Sequence, residues 1–249
     1  MKRYPVILSI AGSDSSGGAG IQADMKAVSA LGAYAATAIT AITVQNILGV
    51  SAIHPVPPEY VRGQIEVVME DICPDAIKIG MINDIAIVRV IAESIVKYKP
   101  KHVVFDPVMV STSGSRLIED NAIEVLIKEL IPLTDIITPN LDEAEVLTGK
   151  KIRNLEEMKE AATKLLSFGC KSVLVKGGHL EGENMYDVLV IDPSEYKVLI
   201  VDDVMSNVLL LKVLLTNEKF KIVTATNGTQ ALDVVDKEQP DLILLDVMK

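Results

Sequence analysis

The feature that most narrows the folds open to this chain is a recurrence: short apolar runs, each closing on polar residues, alternate with segments of helical period. Ala35 to Val44 ends on Gln45 and Asn46, Asp75 to Met81 is followed by Asn83, and His102 to Phe105 by Asp106. Asp135 to Thr138 leads to Pro139 and Asn140, and Ser172 to Val175 to Lys176. Strands that alternate with helices imply βα units, a mainly parallel sheet and right-handed crossovers. In such sheets ligands gather at the carboxyl ends of the strands. The polar residues are therefore expected to converge on one crevice, although a single Asp or Lys at a strand end is ordinarily a cap or a surface group. A helix is expected from about Pro58 to Asp71 after the Pro-punctuated link HPVPPEY, and Asn83 is placed to cap the next one.

The first unit of the series, Val6 to Leu31, carries the most information. Its apolar run breaks into a small-residue loop, AGSDSSGGAG, and reopens as an amphipathic helix. Gly12, Gly17, Gly18 and Gly20 let a backbone approach a ligand, while Ser13, Asp14, Ser15 and Ser16 supply polar groups. Ile21, Met25, Val28 and Leu31 recur with helical spacing, which predicts a buried stripe with Asp24 beside it, facing the loop. The loop lacks both the Gly-Lys-Ser/Thr of a phosphate-binding P-loop and the Gly-x-Gly-x-x-Gly of a dinucleotide fold. On its own it also admits the reading of a plain glycine turn at a strand-to-helix junction, the lesser of the two.

Composition removes several classes of function. With 249 residues, 49% of them hydrophobic, the chain can bury a sizeable core in one large α/β domain or two small ones. A net charge of −10 without a Lys/Arg cluster argues against nucleic acid and anionic membrane as partners. Cys73 and Cys170 are the only cysteines, which excludes a disulfide framework and suits a reducing cytoplasm. His54, His102 and His179 show no metal-ligand spacing, so no zinc is expected. The short apolar run behind Lys2 and Arg3 reads as a first strand, not a membrane span.

The ordered set AGSDSSGGAGIQAD, AITAITVQN, IKIGM, VVFDPVM, ITPNLDEAEVLTG and VLVKGGH resembles the phosphomethylpyrimidine (hydroxymethylpyrimidine) kinases of thiamine biosynthesis, in the ribokinase-like superfamily, over residues 1–192. The resemblance implies a three-layer α/β/α fold with a mainly parallel sheet. It implies ATP-dependent phosphorylation of 4-amino-5-hydroxymethyl-2-methylpyrimidine and of its monophosphate, with Mg²⁺, and a homodimer, since the family is often dimeric. Gly12, Asp24, Gln45, Met81 and Val108 match the family's pyrimidine pocket, where a carboxylate and an amide can read an aminopyrimidine edge. Asp106, Asn140, Glu143 and Lys176 match its nucleotide and magnesium region, with Glu143 as a metal ligand. The spacing of Asn140 and Glu143 fits water-mediated metal binding and a helix capping box equally well.

The resemblance breaks after Ile191. The family continues to a Gly-Thr-Gly-Cys segment that forms an anion hole and carries the catalytic cysteine; this chain has none, and Cys170 precedes the VLVKGG strand and cannot take that place. From Glu195 the sequence EYKVLIVDDVMSNVLLLK…DLILLDVMK instead resembles the first half of a response-regulator receiver, a flavodoxin-like βαβαβ fragment. That resemblance makes Asp202 and Asp203 an acidic magnesium pair and Asp246 both a metal ligand and a phosphoacceptor. The economical reading is a chimera, natural or engineered: a truncated kinase-like portion over 1–192 and a receiver-like half domain over 193–249. Its pyrimidine pocket is retained and its turnover impaired, or it is a non-catalytic scaffold with residual metal or acyl-phosphate chemistry. A half receiver alone would leave sheet edges open, so strands near Lys197 to Val201, Lys221 to Ala225 and Leu242 to Leu245 are expected to extend the kinase sheet.

Overall fold

In the strand β1 (Val6–Ser13) the two-residue alternation decides which layer each side chain joins. Leu8 and Ile10 are fully buried in the main core, as are Ile77 and Ile79 of β4 (Ala76–Ile79), while Ser9 and Lys78 lie on the opposite face and meet the helix α1 (Gly20–Ala30). The computed structural model describes residues 4–46, 48–109, 120–178 and 186–245. Its chain separates into two compact units, Met1–Val190 and Ile191–Lys249.

The first unit is built on an eight-stranded sheet. It adds β2 (Tyr34–Asn46), β3 (Gly49–Pro55), β5 (Val103–Phe105), β6 (Ile136–Ile137), β7 (Ser172–Lys176) and β8 (Asp187–Ile191), in the order β3-β2-β1-β4-β5-β6-β7-β8. The pairs from β2 across to β7 are parallel, and β3 returns antiparallel on β2. The connecting helices are α2 (Pro58–Asp71), α3 (Ile85–Tyr98), α4 (Asp120–Val125, continued by a wider turn over Leu126–Leu130), α5 (Leu141–Thr148) and α6 (Leu155–Leu166). The mainly parallel sheet is what the alternation implied, and the arrangement is the ribokinase-like one that the resemblance implied. The core joins Val61 and Ile65 of α2, Ile87 and Ile91 of α3, Phe105 of β5 and Met158 of α6 in one cluster.

Two local expectations are corrected here. The stripe predicted on α1 is buried only at Ile21; Met25 is 42% and Leu31 86% exposed, because the sheet face beneath α1 offers polar Ser9 and Lys78 to its Asp24 and not an apolar floor to its whole length. The cap of α3 is Asp84, whose carboxylate accepts from the Ala86 N–H at 2.6 Å, and not Asn83, whose buried Oδ1 has no partner among the described residues.

The second unit has β9 (Lys197–Val201), α7 (Met205–Asn217), β10 (Lys221–Ala225), α8 (Gly228–Glu238) and β11 (Leu242–Leu245). Its three strands make a separate parallel sheet, β10-β9-β11, with the order of a receiver-like fragment. The expectation that they extend the larger sheet is thus overturned. Both edges of β9 are taken by β10 and β11, partners that short βα crossovers bring back at little cost in loop closure.

Candidate active site at the carboxyl ends of the strands

The loop after β1 is tied by its own buried carboxylate. Asp14 accepts from the N–H groups of Ser16 (2.8 Å), Gly18 (2.9 Å) and Ala19 (2.7 Å) and from the Ser16 hydroxyl. Burial works against its charged form, but the bonds from Ser16, Ala19 and Gly18 outweigh that and hold its pKa below the usual carboxylate value. Gly20 starts α1 at a φ of +55°, and a Cβ there would sit 2.3 Å from the Gly12 carbonyl oxygen, so only glycine lets the helix begin this close to the strand it came from.

Beside this loop opens a cavity of about 440 Å³. Gly12, Asp24, Gln45, Met81 and Val108, the five residues matched to the pyrimidine pocket, all line it, together with Asp106 and Lys78. They come from β1, α1, β2 and the segments that follow β4 and β5, which brings the strand ends of the sequence pattern into one place. A Cβ on Gly12 would lie 3.0 Å from the Met81 methyl, so the glycine leaves room for that thioether at the cavity wall.

Two carboxylates at the cavity are held in the same manner. Asp24 Oδ2 accepts from the Ser9 hydroxyl at 2.6 Å and from Lys78 Nζ at 2.9 Å. Asp106 Oδ1 accepts from the Thr138 hydroxyl at 3.0 Å and from Lys176 Nζ at 2.8 Å. Ser9, Lys78 and Thr138 were not singled out from the sequence. The signal was there for two of them: Ser9 and Lys78 are the polar interruptions in the runs VILSI and IKIG.

Asn140 and Glu143 form the capping box of α5: Asn140 Oδ1 accepts from the Glu143 N–H at 2.9 Å, and Glu143 Oε2 from the Asn140 N–H at 2.8 Å. The cap does not exhaust Glu143. The residue is 3% exposed, and its pKa is pushed up to about 7, chiefly by burial, with the charge of Asp106 adding to the rise and the Asn140 N–H and Lys176 opposing it. A pair of carboxylates in this state is a fit host for a divalent cation, which would relieve the repulsion between them. Asn140, Glu143 and Lys176 do not line the cavity; Lys176 reaches it through Asp106.

In the second unit, buried Asp202 turns Oδ1 onto the Val204 N–H at 2.7 Å, and Asp203 beside it is exposed. Asp246 and His179 lie outside the described residues. Among the described residues no three His, Cys, Asp or Glu side chains converge as a metal site. No helix there is long and apolar enough to cross a membrane.

The sequence model of the phosphomethylpyrimidine kinase family matches residues 14–206, and that of the response regulator receiver domain matches residues 198–248. The hydroxymethylpyrimidine/phosphomethylpyrimidine kinases of Bacillus subtilis and Escherichia coli are 44% and 43% identical to the chain, covering 76% and 79% of it and 70% and 74% of their own lengths. A probable thiamine biosynthetic bifunctional enzyme of rice is 49% identical over 78% of the chain, but the match spans only 35% of that longer protein. Among solved structures, a phosphomethylpyrimidine kinase of Clostridium difficile superposes with a TM-score of 0.70 at 52% identity, over 75% of this chain and 80% of that one. An ADP complex of Bacillus subtilis pyridoxal kinase gives the same TM-score at 36% identity, over 76% and 72%.

Proposed function

The chain belongs to the phosphomethylpyrimidine kinase family, and from that premise we propose that its cavity binds 4-amino-5-hydroxymethyl-2-methylpyrimidine and its monophosphate as phosphoryl acceptors, with ATP as donor. The observation that supports this reading is the convergence of Gly12, Asp24, Gln45, Met81 and Val108 on one cavity with Asp106 at its edge. Asp24 and Gln45 supply an acceptor and a mixed donor and acceptor for the edge of an aminopyrimidine, while Met81 and Val108 pack on its ring. Asp106 and Glu143 would hold Mg²⁺, which supplies charge neutralisation for the transferred phosphoryl group, and Lys176 stands beside Asp106 to meet phosphate oxygens.

The 249 residues contain no Gly-Thr-Gly-Cys run. In our reading this chain by itself therefore binds the pyrimidine and turns it over weakly or not at all, for want of the backbone donors and the base that phosphoryl transfer asks of this fold. The test is ADP formation by purified protein with ATP, Mg²⁺ and hydroxymethylpyrimidine, with Asp106→Asn and Lys176→Ala as controls and calorimetry for binding. Pyrimidine binding with little or no turnover is the expected result. Turnover that both substitutions abolish would overturn the impaired reading, and absence of binding would overturn the pocket assignment.

The separate β10-β9-β11 sheet favours a second reading for the remainder of the chain: a receiver-like half domain fused to the kinase-like portion as a non-catalytic scaffold. Residual receiver chemistry would show as magnesium-dependent labelling by acetyl phosphate that disappears in Asp246→Asn. A homodimer through the kinase-like portion and a cytoplasmic location are further parts of the proposal.

A further inference from the structure

Ser9 and Lys78 face each other directly in the register of the parallel pair β1 and β4, on the side of the sheet away from the core. α1 carries Asp24 over both of them. The two donors land on the same carboxylate oxygen, Oδ2, one neutral at 2.6 Å and one charged at 2.9 Å. Among the described residues Oδ1 carries no hydrogen bond, and Asp24 lines the cavity. A carboxylate pinned through one oxygen has its rotation fixed and its second oxygen free to accept from a ligand.

The charges decide what kind of donor that ligand brings. The ion pair of Lys78 with Asp24 is half-buried, with side-chain exposures of 25% and 19%, and it is neutral as a unit. An unpaired carboxylate in such a place would favour a cation, whereas a compensated one favours a neutral donor such as the amino group of an aminopyrimidine. Space reinforces the arrangement: a Cβ on Gly80 would come 3.1 Å from Lys78 Nζ and 2.9 Å from the Ala11 Cβ, so the glycine leaves the ammonium its place.

We propose that Lys78, together with Ser9, is a positioning residue that sets the specificity of the cavity for an uncharged 4-aminopyrimidine by aiming Asp24 Oδ1 at the exocyclic amino group. The inference rests on the reading of this cavity as a pyrimidine site.

The test is calorimetric binding of two probes, 4-amino-5-hydroxymethyl-2-methylpyrimidine and the same compound without its 4-amino group, to the intact chain and to Lys78→Met and Ser9→Ala. The unsubstituted protein is expected to prefer the amino compound by about tenfold or more, since a carboxylate oxygen covered by a ligand that offers it no donor loses its water without compensation. Lys78→Met should cut that preference to about threefold or less while changing affinity for the des-amino compound by less than about twofold, and Ser9→Ala should cut it by a smaller factor. A structural role would weaken both probes together. A folded Lys78→Met protein that keeps the preference, or loses both probes in equal proportion, overturns the proposal; if that variant does not fold, an unchanged preference in Ser9→Ala does so. Equal binding of both probes by the unsubstituted chain overturns this inference alone, whereas no binding of either overturns the pyrimidine reading itself.

Discussion

Helices α6 and α7 are of nearly equal length, 12 and 13 residues, and each follows directly on a turn beside a parallel sheet, yet they meet their surroundings differently. α6 buries Met158, Ala161, Ala162 and Leu165 on one side and shows charged residues on the other. α7, MSNVLLLKVLLTN, is apolar nearly all round and buries Val208 alone, leaving Leu209, Leu210, Val213 and Leu214 each more than half exposed. The cores repeat the contrast: the first unit's cluster joins strands β1, β2, β4, β5, β6 and β7 with helices α2, α3, α5 and α6, while the second centres on Leu199, Val201 and Ala225. Local pattern makes a helix in either place; only a sheet wide enough to roof it decides whether the apolar face is used.

The largest test of that contrast is matched truncation. Phe105 is 1% exposed and pairs between β4 and β6, so Phe105→Ala should cost about 3–5 kcal/mol, the sum of lost transfer energy and a cavity that packed neighbours cannot close. Leu199 is equally buried, but its cluster is small, and Leu199→Ala should fall at about 2 kcal/mol, the low end for such changes. Peptide-resolved hydrogen exchange gives each value within its own unit. Equal costs at the two sites would break the comparison.

A second, somewhat smaller effect sharpens the electrostatic side. Glu143 has its pKa raised from 4.5 to about 7 in the fold, chiefly by burial. The folded state therefore holds that proton more tightly than the unfolded one, so the stabilisation is complete below pH 4.5 and is lost as the pH rises through about 7. Glu143→Gln, which keeps an oxygen for the Asn140 N–H, should remove this slope and leave the variant more stable than the parent at pH 8 by about 2–3 kcal/mol. Urea midpoints measured at pH 4 and pH 8 decide it, and a difference that does not grow with pH would show that Glu143 is no more than a cap.

Much of this molecule was legible in its sequence, and the limits have physical causes. The strand ends that close on Gln45, Met81, Asp106 and Lys176 were readable because alternation and turn chemistry are local, and their convergence follows from parallel crossovers. The Asn140 and Glu143 spacing was readable only as a choice, and the structure shows the capping box together with a carboxyl whose burial raises its pKa. Ser9, Lys78 and Thr138 escaped because each acts through a partner 15, 54 or 32 residues away. The stripe of α1 failed because helical period says which residues share a face, not what lies opposite. The merger of the two sheets failed for a related reason: hydrophobic alternation marks a strand without naming its neighbour, and β9 found β10 and β11 first.

The smallest effect is the one that isolates α7. Leu210, Val213 and Leu214 stand at i, i+3 and i+4 and form an exposed ridge, while Val208 is 3% exposed. Replacing Leu210 and Leu214, each more than half exposed, with lysine keeps a methylene stem over the part that is covered and puts long side chains of good helix propensity on a wet face, so each change should move stability by no more than about 0.5 kcal/mol. Val208→Ala, one branched side chain smaller at the covered position, should cost about 1–2 kcal/mol. Thermal unfolding separates the two classes. If the lysine substitutions were as costly as Val208→Ala, the ridge would have a covering surface in solution, and the contrast between α6 and α7 would narrow to one of degree. Unchanged stability would mean that α7 owes its place to Val208 and the strands beneath it, with the leucines contributing helix propensity and no packing.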